Sequence, residues 1–123
     1  MKNKVVHFEI PANDLEKAQE FYGKIFDWKF KKWNDTYTTV ITAGEGKGGM
    51  AKDVGAINGG LQKRGPRAKT PTVVVHTDSI DEVLQNVQTA GGSVPVPKEK
   101  IGGMGFYAQF EDPEGNRIGL FQT

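Results

Sequence analysis

The chain has 123 residues, no cysteine, and a formal charge of +1 with acids and bases interspersed. That length suits one domain burying roughly two thirds of its unfolded surface, and the lack of cysteine excludes disulfides, thiolate catalysis and Cys-based zinc or iron–sulfur sites. The charge balance argues against a nucleic-acid partner held through phosphates, and no apolar run approaches the roughly 18 residues of a membrane span. Met1 leads through two lysines straight into a strand, so neither a signal peptide nor a membrane partner is expected, and the expected location is the cytoplasm.

Val5 to Ile10 alternates His7 and Glu9 against Val6, Phe8 and Ile10, the period of a half-buried strand. Pro11 is expected to stop the ladder. Asn13 or Asp14 can cap the next element, in which Leu15, Ala18, Phe21, Tyr22 and Ile25 fall at helical spacing. The helix is expected over Leu15 to Phe26, with Asp27 ending it where a glycine would be easier. Trp28 and Phe30 then alternate with Lys29 and Lys31, Asn34-Asp35 signals a turn, and Tyr37 to Thr42 is β-branched and strand-like. Ala43 to Gly55 holds five glycines among charged residues. Its GEGKGG core is no phosphate loop, because no Ser or Thr follows the lysine and no amphipathic helix opens behind it; a mobile hairpin loop is expected. Ala56 to Leu61 returns as a strand whose Gly59-Gly60 allows a bulge or a close approach to a ligand. Lys63, Arg64, Arg67 and Lys69 read as a solvated linker.

The pattern then repeats. Thr72 to His76 is a second β-branched run, Asp78 is placed to cap, and Ile80, Val83, Leu84, Val87 and Ala90 form an apolar stripe ended by Gly91-Gly92. Setting Asn13 against Asp78 brings His7 opposite Thr72. A short strand around Val94 to Val96, a glycine loop at Gly102 to Gly105, a strand Phe106 to Glu111, a turn at Asp112 to Asn116 and a strand Arg117 to Phe121 complete the chain. The fold class is α+β: two βαβββ modules in one domain, about 1–62 and about 70–123.

HFEIPANDLEKAQEFYGKIFDW, AINGGL, TAGG and GMGFYAQFEDPEGNRIGL together resemble the vicinal oxygen chelate superfamily of glyoxalase I, bleomycin-resistance proteins and extradiol dioxygenases. The resemblance covers nearly the whole chain and implies cupped sheets around a ligand cavity, often with paired subunits, so a homodimer is an expectation. In metal-using members the resemblance places two ligands per module, on its first and last strands. His7 falls on the first of these and matches. Thr72, its counterpart, is not a usual ligand, Gly119 stands where the family has a glutamate, and the fourth position lies near Asn58 or Gly59. A transition-metal centre needs about three protein ligands, so neither a metal nor any other cofactor is expected.

Glu9, about 6.6 Å along the strand from His7 on the same face, can pair with it as a base and its partner, the carboxylate raising the imidazole's pKa. The candidate catalytic residues are therefore His7 and Glu9, and the candidate ligand contacts are His7, Glu9, Tyr37, Asn58, Thr72, Val74, Tyr107 and Gln109. His76 shares Thr72's parity but lies about 13 Å along the strand. Three functions stay open: a metal-independent binder of a small molecule, an enzyme using His7 with a degenerate metal site or as acid or base, and an interaction protein with a filled cavity.

Overall fold

The computed structural model describes residues 3–123. Two compact units make up the chain, Val6–Pro71 and Thr72–Thr123, the second joined by residues 3–5. The first three described residues thus leave the module in which the sequence reading put them: the Asn3 N–H donates to the His76 carbonyl at 2.7 Å.

In the first module β1 (Lys4–Ala12) leads to α1 (Leu15–Phe26), β2 (Lys29–Asn34), β3 (Tyr37–Ile41) and β4 (Asn58–Lys63). The Asp14 side chain accepts from Lys17 N at 3.0 Å, satisfying one of the donors a helix start leaves open. Asp27 ends the helix in the left-handed region at φ 57°, its N–H returned to Gly23 O. The strand order is β2-β3-β4-β1, with β4 parallel to β1 and the other neighbours antiparallel. Pro11 does not stop β1, which pairs on to Ala12 opposite Lys63. Pro11 lacks only an N–H, and its carbonyl still accepts from the Arg64 guanidinium at 3.5 Å. Arg64 also reaches Asn13 Oδ1 and Lys69 O, so one arginine of the basic linker straps it to the end of β1.

Register and pleat sort the first sheet into two faces. Phe8, Gly59, Val40 and Phe30 share one, as do Ile10, Leu61, Thr38 and Lys32. This is the face toward α1, where Phe8, Tyr22, Phe26 and Trp28 meet ring to ring. His7, Glu9, Tyr37, Thr39, Gly60 and Gln62 occupy the other. The apolar stripe of α1 is less covered than its spacing predicts: no residue of the helix is fully buried, and Phe21, Ile25 and Phe26 are exposed.

The second module repeats the order as β5 (Thr72–His76), α2 (Ile80–Thr89), β6 (Ser93–Lys100), β7 (Phe106–Glu111) and β8 (Arg117–Gln122), with strands ordered β5-β8-β7-β6. The cap of α2 is Ser79, which accepts from Glu82 N at 3.2 Å, and not the expected Asp78, one residue too early to reach the third helical amide. Ile80, Ala108 and Leu120 form the buried centre under α2, with Val75, Val83, Leu84, Phe106 and Phe110 packed on it. Truncating Leu120 to alanine there would cost about 2–5 kcal/mol. β6 is longer than the three residues expected, because it lies at the sheet edge, where Pro95 and Pro97 forfeit no ladder bond; its register shifts twice along β7.

Among the described residues, no helix is long and apolar enough to cross a membrane.

Candidate functional site

The face of each sheet turned away from its helix carries the polar side chains. In the first module His7 Nε2 lies 2.7 Å from the Tyr37 hydroxyl. Tyr37 reaches it by lying flat across Gly60, where a Cβ would run into the phenol oxygen and ring. Burial pushes the His7 pKa down from 6.5 to about 4. This corrects the expected upward shift: Glu9 shares the face, yet desolvation of the imidazolium decides the sign. His7 is therefore neutral at pH 7, one ring nitrogen a donor and the other an acceptor.

Gly59-Gly60 makes no bulge. Both glycines are needed for close approach, but by the protein's own rings, with Phe8 against Gly59 on one face and Tyr37 against Gly60 on the other. Asn58, taken from the sequence as a ligand contact, has a different task. Its Oδ1 accepts from Thr42 N at 2.9 Å, Ala43 N at 3.3 Å and the Thr42 hydroxyl at 3.3 Å, while its Nδ2 donates to Gly44 O at 2.8 Å. The amide is spent on the first residues of the glycine-rich loop, which it ties to the start of β4. That loop is further closed by Gly46 N to Met50 O and Lys52 N to Ala43 O.

In the second module Tyr107, Gln109 and Glu111 project from β7 beside Phe121, Gly119 and Arg117 of β8. Tyr107 lies over Gly119, where a Cβ would stand 2.9 Å from its hydroxyl and 3.1 Å from Val74 Cγ2. Gln109 is 1% exposed. Its Nε2 donates to the Tyr107 oxygen at 2.8 Å and its Oε1 accepts from Arg117 Nη1 at 3.1 Å, and Arg117 Nη2 stands 3.6 Å from Glu111 Oε2. Thr72 and Val74 are buried on this face. His76 pairs in register with Phe121 and meets its ring edge-on. Sequence reading missed Arg117, although its parity with Gly119 and Phe121, two and four residues on, placed it on this face.

The two registers fix which positions correspond. Glu9 pairs with Gly60 as Val74 pairs with Gly119, so His7 matches Thr72, as the duplicated spacing predicts. The counterpart of Gly119 is Gly60, one or two residues beyond the Asn58 or Gly59 suggested by the sequence. Tyr37, two positions before Gly60's own partner Thr39 on β3, has as its counterpart Tyr107, two positions before Gly119's partner Gln109 on β7. Both modules thus lay a tyrosine across a glycine on the last strand. The four positions to which the resemblance assigns metal ligands in metal-using members, aligned by these registers, carry His7, Gly60, Thr72 and Gly119, one imidazole and no carboxylate. Among the described residues no three His, Asp or Glu side chains gather as a metal-binding group.

A large cavity, about 920 Å³, lies on the opposite face of the first module, between α1 and the β2–β3 hairpin, lined in part by Leu15, Glu16, Trp28, Phe30 and Thr38. It is not the cavity expected beside His7.

Two βαβββ modules with polar faces of this kind define a class of proteins, and the sequence agrees with it. The sequence model of the Glyoxalase/Bleomycin resistance protein/Dioxygenase superfamily matches residues 4–120, and the chain belongs to that superfamily. A superfamily member from Vibrio splendidus 12B01 has a similar structure, with TM-score 0.66 and 15% identity over 99% of this chain and 100% of that one. Methylmalonyl-CoA epimerase from Mycobacterium tuberculosis is similar at TM-score 0.64 and 14% identity, over 96% of this chain and 86% of that one. A variant of homoprotocatechuate 2,3-dioxygenase from B. fuscum is similar at TM-score 0.70 and 18% identity, over 98% of this chain but 32% of that one. No curated protein sequence matches the chain.

Proposed function

We propose that the chain is a small-molecule-binding protein of the glyoxalase and bleomycin-resistance type that works without the superfamily's metal centre. Its hydrogen-bonding groups stand on the face of each module turned away from its helix, His7, Tyr37 and Glu9 in the first and, taken by itself, Tyr107 in the second. The observation that carries this reading is the pair of tyrosines over Gly60 and Gly119. A glutamate at either glycine would collide with the phenol above it, and the remaining donor set falls short of the about three protein ligands such an ion needs. A phenol offers a ligand an apolar ring and a hydrogen bond, the mixture on which small-molecule sites depend. The test has two parts. Protein equilibrated with zinc, nickel, manganese or ferrous iron is expected to retain no stoichiometric ion by elemental analysis; one tightly held ion per chain, lost in His7→Ala, refutes the metal-free reading. A thermal-shift screen is expected to find small organic binders that His7→Ala weakens by about 1–3 kcal/mol.

A proton-transfer enzyme is the second reading, favoured by the neutral His7 in contact with Tyr37. Neutral imidazole is the form of histidine that takes a proton, and a phenol beside it can return one. Turnover of a bound ligand that disappears in both His7→Ala and Tyr37→Phe would distinguish this reading from simple binding.

A further inference from the structure

The cavity of about 920 Å³ on the helix side of the first sheet is lined from within that module alone, and the function proposed above makes no use of it. Its origin lies in the sequence of α1. Glu16, Gln19, Glu20 and Gly23 fall at i, i+3, i+4 and i+7, so they share one stripe of the helix, and that stripe lines the cavity. Polar side chains and a glycine stand where apolar ones would close on Phe30 of β2, which leaves a gap of ligand size between helix and hairpin.

The gap is graded from floor to mouth. Trp28 and Phe30 line it with aromatic rings, and Trp28 is fixed by its packing against Phe8, Tyr22 and Phe26. On the floor Thr38 is only 3% exposed, and among the described residues its hydroxyl has no hydrogen-bond partner; a polar group so withdrawn from water gains from a ligand that supplies one. At the mouth the exposed Glu16 and Glu20 stand one turn apart, neither in an ion pair among the described residues. The other acids of the lining are engaged, Asp14 as the cap of α1 and Asp35 with Lys32 at 3.2 Å. Lys63 is then the one lining cation without an ion pair among the described residues, against two such carboxylates, so the uncompensated charge is negative.

We propose that this cavity is a second ligand site, distinct from the face that carries His7, for a hydroxylated aryl-alkyl amine. The ring lies against Trp28 and Phe30, the ring hydroxyl bonds to Thr38, and the ammonium sits between Glu16 and Glu20, relieving the repulsion of two like charges four residues apart.

Tyramine, phenethylamine and tyrosol test each part, since phenethylamine lacks the ring hydroxyl and tyrosol replaces the ammonium by a neutral alcohol. Binding is followed by NMR on the Trp28 indole N–H, assigned as the signal that survives in Trp33→Phe. Tyramine is expected to bind best, with phenethylamine about tenfold weaker for the lost hydrogen bond and tyrosol about fivefold weaker for the lost charge pairing. Thr38→Val is expected to abolish the preference for tyramine over phenethylamine. Glu16→Gln combined with Glu20→Gln is expected to abolish the preference over tyrosol; both side chains are exposed, so this variant decides the matter even where Thr38→Val fails to fold. A Trp28 signal unmoved by tyramine, equal affinity for the three probes, a preference that survives its variant, or tyramine binding lost in His7→Ala would each overturn the proposal.

Discussion

Tyr37 and His7, thirty residues apart in sequence, meet at 2.7 Å on the face of the first sheet turned away from α1. Burial holds that histidine neutral in the folded protein, its pKa pushed down to about 4 from the ordinary 6.5 of the unfolded chain. Between those values the unfolded chain binds more protons than the folded one, so stability rises with pH through that window. The contribution is complete above about pH 6.5 and is lost as pH falls toward about 4. Chemical denaturation across this range is expected to show the slope in the parent and a flatter profile in His7→Gln; an unchanged profile contradicts it. Acid sensitivity at still lower pH is expected to persist in the variant. The Asp112 carboxylate, held below its usual range first by the Asn116 N–H, contributes stability above its unfolded pKa that is lost as pH falls through the lowered folded value.

Gly60→Ala and Gly119→Ala are each expected to destabilise by about 1–3 kcal/mol, the cost of forcing a group into filled space. The diagnostic is rescue: Tyr37→Ala should remove most of the added penalty of Gly60→Ala, and Tyr107→Ala that of Gly119→Ala. Additive double mutants would show that the tyrosines are not what the glycines accommodate.

Asn58→Ala strips the partners from Thr42, Ala43 and Gly44 at once. A loss of about 1–3 kcal/mol is expected, with proteolytic cleavage appearing between Ala43 and Ile57 before the rest of the chain is attacked. Ligand affinity changing without any change in loop protection would return Asn58 to the role read from the sequence.

Asp27→Gly is expected to stabilise the protein by about 0.5–1 kcal/mol, because a side chain at φ 57° carries a left-handed penalty that glycine escapes. The 3.1 Å pair with Lys29 that it sacrifices is exposed and contributes little. A lower urea midpoint than the parent would count against this account of the cap.

What the sequence made legible was local. Alternation placed β5 on the right residues and found the middle of β1, with His7 and Phe8 on opposite faces, and helical spacing found α1 to the residue, with its stop at Asp27. Features needing a partner strand were hidden. Tyr37 lies over Gly60 only because β3 and β4 pair as they do, and no spacing within either strand reports that register. Asn58 looked like a strand residue facing a ligand, but its short amide turns to the first residues of the loop, which its own position brings within reach. Pro11 looked like a terminator, since a proline's tolerance depends on whether its missing donor had a ladder to join. The sign of the His7 shift was lost for a related reason: a nearby carboxylate can be read from spacing, whereas desolvation is set by everything packed around the ring.

The outermost strands of both sheets are poor templates for further pairing. β2 carries Lys29, Lys31 and Lys32 and a register shift before Asn34, while β6 adds Pro95, Pro97 and two irregularities of its own. Lysines, prolines and bulges are the devices by which natural sheets avoid growing into ribbons. On these two edges the chain is guarded against fibril-like addition of strands, so association of copies at them would have to run through side-chain packing and not through a shared backbone ladder.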